Sequence, residues 1–322
     1  MVYNFERESY TFCVEKKAFY KKERRLMKIG FIGLGIMGNP MVKNLLQSDF
    51  EVTVFDLNKE AIQRLVEVGA KAGTLKEMAQ KSDVVITMLP KAEHVWDVLQ
   101  KPEGIFANAH PGLAVIDMSS IGPTDAREIA QAAADFGIET LDAPVSGGEP
   151  KAKDGTLSIM VGGKAETFEK YLPVFQGMGK DIVLIGDHGS GVTAKLANQI
   201  IVNLNIAAVS EALVLAAKAG IDLEKMYQAI RGGLAGSTVM DAKIPMILDR
   251  NFKAGGAISI NLKDLTNVMQ TAHDLDVPLP LSSQLLEIFH ALKADGKQTL
   301  DHGGIVQYYE KIANVVAKRS ED

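Results

Sequence analysis

An α/β domain followed by an all-α domain, the two joined through one long helix, is the fold class that this 322-residue sequence predicts. Three observations carry it. A short apolar run leads straight into a glycine turn and a helical stretch. Strand-like and helix-like segments then alternate as far as Ile185, and beyond Val192 the apolar spacing is helical throughout.

The first run, Lys28–Ile32, has strand length and is followed at once by Gly33-Leu34-Gly35-Ile36-Met37-Gly38. Met41, Val42, Leu45 and Leu46 recur at helical spacing, and a second strand, Val52–Phe55, ends at Asp56. Strand, glycine turn, helix and strand, with an acid 23 residues beyond the first glycine, form the fingerprint of a Rossmann-type dinucleotide site. Gly33 permits the tight turn, Gly35 lets the backbone approach a pyrophosphate, and Gly38 allows close contact of helix and strand. The free amides at the helix start face the phosphates. Asp56 suits the adenosine ribose and repels a 2′-phosphate, and Leu57 stands where arginine would serve NADP. NAD is therefore favoured, with Lys59 close enough to keep NADP as a second option.

The alternation continues through Asp83–Leu89, closed by Pro90, and Ala114–Asp117, which leads into Met118-Ser119-Ser120. Ligands of a doubly wound sheet sit beyond the carboxyl ends of its strands. Met88, Leu89, Pro90 and Ser120 are thus neighbours of the nicotinamide end, or else ordinary strand-end packing and a helix cap. After the strand Glu139–Asp142 comes Ser146-Gly147-Gly148, a hydroxyl beside unobstructed amides that can cradle a small carboxylate. Ile182–Ile185 is the last strand expected.

A helix is expected from about Val192 to Ala219, stopped by Gly220. It is apolar around most of its circumference, so it must be covered by both domains and by a second subunit, as in a homodimer or homotetramer. Lys195 stands near its start, with Asn198 and Gln199 three and four residues on, at a spacing that shares a helix face. A desolvated lysine has a lowered pKa, which suits a proton donor working near neutral pH; a lysine snorkelling out of a buried helix reads the same way locally. Further helices are expected at Leu223–Arg231, Val239–Leu248, Asn261–Leu275, Ser282–Ala294 and Gly304–Val316. Lys263, with Asp264, either completes a cleft or forms an exposed helix pair.

The length fits two domains, a dinucleotide domain over residues 27–188 and a substrate and oligomerisation domain over 189–322. Residues 1–26 mix aromatics with a basic cluster and lack an apolar core, which predicts a disordered extension or a start placed too far upstream of Met27. A net charge of −5 argues against a nucleic-acid partner. A single cysteine, Cys13, fits a reducing compartment, the cytoplasm. Scattered histidines offer no metal site. The apolar stretch Leu196–Ala217 is broken by Asn198, Gln199, Asn203, Asn205, Ser210 and Glu211, which predicts a buried helix rather than a membrane span.

Four blocks in register, GFIGLGIMG, DAPVSGG, GSGVTAKLANQ and NLKDL, make residues 27–316 resemble the β-hydroxyacid dehydrogenase family, the 3-hydroxyisobutyrate dehydrogenase-like enzymes. Arg231–Thr238 and Asp249–Phe252 are most similar to its tartronate semialdehyde (2-hydroxy-3-oxopropionate) reductase branch. The resemblance implies a catalytic Lys195, carboxylate binding by Ser146, Gly147 and Gly148, and Lys263 inside the cofactor and substrate cleft. It also implies reduction of a short anionic semialdehyde to a hydroxyacid by NADH, with Asn198 or Gln199 touching substrate or orienting the lysine. Relatives acting on 3-hydroxyisobutyrate, 4-hydroxybutyrate or sulfolactaldehyde, and a non-catalytic dinucleotide-binding module, are the alternatives. Gln199 stands where many relatives carry asparagine, and Gly255–Ile258 replaces a bulkier segment.

Overall fold

The structure, a computed structural model, describes residues 27–319, so the expected extension over 1–26 lies outside the described residues. The chain opens with β1 (Lys28–Ile32), α1 (Gly38–Gln47), β2 (Glu51–Phe55), α2 (Lys59–Val66), β3 (Lys71–Ala72), α3 (Leu75–Lys81) and β4 (Val84–Thr87). Next come α4 (Ala92–Gln100), α5 (Ile105–Asn108), β5 (Ala114–Asp117), α6 (Pro123–Ala134) and β6 (Glu139–Asp142). The sheet half closes with β7 (Val145–Ser146), α7 (Gly148–Lys153), β8 (Leu157–Gly163), α8 (Ala165–Gln176) and β9 (Gly179–Gly186).

These strands form one sheet in the order β3-β2-β1-β4-β5-β6-β8-β7, with β9 added against β8. Strands β1 to β6 pair in parallel, and β4 and β5 are buried at every residue, as strands covered on both faces must be. Since β2 flanks β1 on one side and β4 on the other, the chain direction reverses there. The crevice beyond the ends of β1 and β4 is therefore the natural ligand site.

Strand β8 corrects the sequence reading, which had no strand between Asp142 and Ile182. It lies antiparallel to β6 and β7, and its Leu157, Ile159 and Val161 are buried while Ser158 and Met160 are partly covered. That period-2 alternation is the mark of a strand, hidden by its place next to a glycine loop. Strand β4 also stops at Thr87, leaving Met88, Leu89 and Pro90 in the loop beyond it.

The second half holds α9 (Ser190–Lys218), α10 (Leu223–Ile230), α11 (Thr238–Leu248), α12 (Ile258–Asp274), α13 (Pro280–Ala294) and α14 (Val306–Ala313). Helix α12 starts three residues earlier than expected. The last expected helix is split, because Asp301 caps a 3₁₀ turn (His302–Ile305) ahead of α14, which ends on left-handed Asn314. Helix α9 is long and apolar enough to cross a membrane by composition, with a hydropathy of 2.0. Its side chains Ile206, Leu213 and Val214 instead join a core with Leu265, Phe289 and Val306. Its first turn sits directly on the sheet: a Cβ on Gly191 would fall 2.4 Å from the Met160 carbonyl and 2.5 Å from that of Asp142. Glycine is required there for close approach. One stripe of α9 stays uncovered, with Ile201 62% and Leu215 74% exposed.

Candidate active site

The glycine turn follows from sterics at three points. Gly33 has φ +99°, and a Cβ on it would lie 2.3 Å from the Met88 carbonyl oxygen. A Cβ on Gly38 would lie 1.9 Å from the Gly33 carbonyl, so helix and turn touch backbone to backbone. Nothing lies within 4 Å of a Cβ built on Gly35, so the backbone at the mouth of the turn is open to a ligand. Helix α1 has no side-chain cap at its N-terminus, which leaves amide donors beside that space. A cavity of about 500 Å³ adjoins it, lined by Leu34, Gly35, Ile36, Asp56, Asn58 and Arg64 among others. These features fit a bound dinucleotide, with Gly35 at the pyrophosphate and Asp56 at the ribose. Asp56 has a second duty: its carboxylate accepts from the Leu34 amide at 2.6 Å and the Asn58 amide at 2.7 Å, so it also holds the turn's shape.

Beyond β4 and β5 the loops are laced together. The Met88 amide donates to Ile32 O, and the Leu89 amide to the Ser119 hydroxyl at 2.9 Å. Beneath them Asp117 is fully buried and accepts from Thr87 Oγ1 at 2.7 Å and the Ser119 amide at 3.1 Å. Burial pushes its carboxyl up to about 6, with Asp142 on the neighbouring strand adding to the rise and the hydrogen bonds from Ser119 and Thr87 opposing it.

Asp142 sets the entry of α9. Its two carboxylate oxygens accept from the amides of Gly189 (2.8 Å) and Val192 (3.0 Å), and Gly189 takes φ +89° to make the bend. One turn on, Lys195 is buried, and its pKa is lowered by burial, with nearby Lys263 lowering it further and Asp264 opposing. This is a desolvated lysine whose charge is opposed by one cation and supported by one carboxylate. It does not snorkel.

Around Lys195 the predicted residues form one hydrogen-bonded line. Ser146 Oγ donates to Asn198 Oδ1 (3.3 Å), Asn198 Nδ2 to Gln199 Oε1 (3.0 Å), and Gln199 Nε2 to Asp264 Oδ2 (2.6 Å). Lys263 stands 3.0 Å from Asp264 Oδ1, an ion pair without hydrogen-bond geometry, and donates to the Ser120 carbonyl at 2.7 Å. Asn267 reaches the same carbonyl at 3.4 Å. Helices α9 and α12 are thereby tied to the ends of β5 and β7. Lys263 and Asp264 are 23% and 4% exposed, so the alternative of a solvated helix pair falls. Gly147 (φ +130°) and Gly148 (φ +65°) hold conformations that favour glycine, and the Gly255 carbonyl lies 3.9 Å from a Cβ built on Gly148. The serine–glycine cradle thus faces the loop before α12.

Sequence reasoning missed Asp117, the capping role of Asp142, Asn261, and the group Lys243, Asp301 and His302. A polar residue at a strand end was the only local signal for the two aspartates. Nothing local tells that Asp142 meets an amide 47 residues on.

A glycine turn open to a dinucleotide, with a desolvated lysine beside a serine–glycine turn, fits an NAD(P)-dependent oxidoreductase acting on a CH–OH group. Comparison with known proteins agrees. Residues 28–186 match the family described as the NAD binding domain of 6-phosphogluconate dehydrogenase, and residues 189–309 that described as NAD-binding of NADP-dependent 3-hydroxyisobutyrate dehydrogenase. The chain is 41% identical to 2-hydroxy-3-oxopropionate reductase of Escherichia coli K12, over 89% of this chain and 99% of that one. It is 38% identical to 2-(hydroxymethyl)glutarate dehydrogenase of Eubacterium barkeri, over 90% and 97%. The solved 3-hydroxyisobutyrate dehydrogenase of Mycobacterium tuberculosis with L-serine superposes with a TM-score of 0.82 at 32% identity, covering 88% of this chain and 99% of that one. The chain belongs to the β-hydroxyacid dehydrogenase family, of the 3-hydroxyisobutyrate dehydrogenase-like kind.

Proposed function

We propose that this enzyme reduces tartronate semialdehyde (2-hydroxy-3-oxopropanoate) to D-glycerate, with NADH as the preferred reductant and NADPH as the weaker one. The observation that carries the reading is Lys195, buried beside Lys263 and Asp264 and next to the Ser146–Asn198 pair. The nicotinamide, when bound in its reduced form, supplies the hydride that adds to the aldehyde carbon. Lys195, as ammonium, gives a proton to the aldehyde oxygen as charge builds there, which completes the alcohol. Ser146 Oγ and the amides of Gly147 and Gly148 hold the carboxylate and so orient the carbonyl. Gln199 has its amide nitrogen on Asp264, so Asn198, half-buried beside Ser146, is the amide that meets substrate. Lys263 and Ser120 border the nicotinamide and substrate ends alike.

In this reading residues 27–188 carry the cofactor, and 189–322 carry the substrate helices and the oligomer contact. The exposed Ile201 and Leu215 on α9 support a homodimer or homotetramer. The one cysteine accords with the cytoplasm. The test is oxidation of NADH and of NADPH with tartronate, methylmalonate and succinate semialdehydes, compared as kcat/KM. We expect tartronate semialdehyde with NADH to lead; a large preference for either other semialdehyde overturns the substrate.

A further inference from the structure

The loop that faces the anion cradle is held by one carboxylate. Asp301, itself fully buried, accepts from the Gly255 and Gly256 amides (3.0 and 3.1 Å), the Gly303 amide (2.9 Å) and Lys243 Nζ (2.7 Å). The His302 amide in turn donates to Gly256 O at 2.9 Å. These bonds fix the His302 ring over the loop. The atoms nearest a Cβ built on Gly256 are His302 Nε2 at 3.6 Å, Asn261 Nδ2 at 3.7 Å and His302 Cε1 at 3.7 Å, so this wall is polar. Asn261 joins it to the Gln199–Asp264 pair one turn beyond Lys195, because Gln199 Nε2 lies 3.5 Å from Asn261 Oδ1 and 2.6 Å from Asp264 Oδ2.

The ring stays neutral here. Burial lowers its pKa to about 4, and the cations Lys243 and Lys195 add to the drop while Asp301 opposes it. Neutral imidazole offers one donor and one acceptor, which matches a hydroxyl and not a second carboxylate. Nδ1 is sealed from solvent with no partner among the described residues, and an unpaired lone pair is the cheaper group to leave there. That puts the proton on Nε2. The side chain is 13% exposed, and Nε2 stands 3.9 Å from Asp301, outside hydrogen-bond range, so it can donate to a ligand.

We propose that His302 is a specificity-determining residue whose Nε2 donates to the hydroxyl beside the substrate carbonyl, selecting a hydroxylated semialdehyde over its methyl analogue. The inference rests on the reductase reading above. A site built to bond a hydroxyl rejects the analogue that lacks it, because its own polar group is left unpaired.

The experiment measures kcat/KM for tartronate and methylmalonate semialdehydes in wild type, His302→Leu and His302→Gln. His302→Leu should cut the tartronate-to-methylmalonate ratio by about 10- to 100-fold, through the tartronate value alone. His302→Gln, which keeps a donor, should restore much of the ratio. An equal fall for both substrates overturns the inference, since that is what a merely structural histidine would give. Should His302→Leu fail to fold, competitive inhibition of the wild type by hydroxymalonate and methylmalonate decides: hydroxymalonate binding at least about tenfold tighter supports the inference, and equal binding overturns it. A wild type that reduces neither semialdehyde removes the reductase reading itself, a different result from an unchanged ratio in an active enzyme.

Discussion

The glycine turn and the lysine cleft do neighbouring jobs and are built in opposite ways. The turn is local: Gly33, Gly35, Gly38 and Asp56 lie within 24 consecutive residues, and their spacing is their geometry. The cleft is assembled from five distant segments, with Ser120, Ser146, Lys195, Lys263 and His302 brought together by helices α9 and α12. A local site can be broken by a single Cβ. An assembled one is broken by loosening what holds its elements in place.

The sharpest separation of the two comes from Lys195→Ala against Gly35→Ala. In the proposed mechanism Lys195 is the proton donor, so its removal should lower kcat by about 10²–10⁴-fold and leave the dinucleotide Kd, read by fluorescence titration, unchanged. The Gly35 methyl enters open space, so the melting temperature should hold while dinucleotide affinity falls. A Gly35→Ala enzyme that binds NADH normally would remove this glycine from the phosphate contact.

Asp142→Ala tests whether the cleft depends on its scaffold. Two buried amides at the start of α9 lose their acceptor, which should cost about 2–6 kcal/mol at roughly 1–3 kcal/mol each, measured by denaturant unfolding. Because α9 carries Lys195, kcat should fall as well, with the turn's dinucleotide affinity less affected.

The alkaline limb of the reduction profile reads the lysine directly. As the proposed donor, Lys195 must be protonated, so activity should fall as pH rises through its lowered pKa. Asp264→Asn removes the carboxylate that supports the ammonium and should move the limb to lower pH. Lys263→Met removes a repelling cation and should move it to higher pH. Shifts in the same direction would show that neither charge acts on Lys195.

The smallest effect belongs to Asp117. Its folded pKa is raised to about 6, so the folded protein holds that proton where the unfolded chain has lost it. Its contribution to stability is complete below the unfolded value near 4 and is lost as pH rises through about 6. Asp117→Asn does not titrate. Its stability relative to wild type should therefore improve from pH 4 to pH 7, by at most about 3 kcal/mol, read as a narrowing difference in Tm.

Much of this was legible in residue order. The strand–turn–helix–strand opening, the parallel strands to Asp142 and the length of α9 follow from apolar period and glycine placement. Strand β8 escaped notice because an antiparallel insertion after a glycine loop breaks the βα rhythm, though its alternation of Leu157, Ile159 and Val161 is there to be read. Lys263 and Asp264 illustrate the limit: two adjacent charges on a helix look solvated until the Ser120 carbonyl and Gln199 are set against them.

The sequence by itself determined the dinucleotide turn, the order of the two halves and the residue types available for acid chemistry, because backbone sterics and side-chain period act over a few residues. Tertiary structure alone decided that Lys195 is desolvated, that Gln199 turns to Asp264 and leaves Asn198 for Ser146, and that His302 stays neutral over the loop facing the cradle. Burial and pairing set those properties, and both depend on groups that the chain brings together from tens to more than a hundred residues apart.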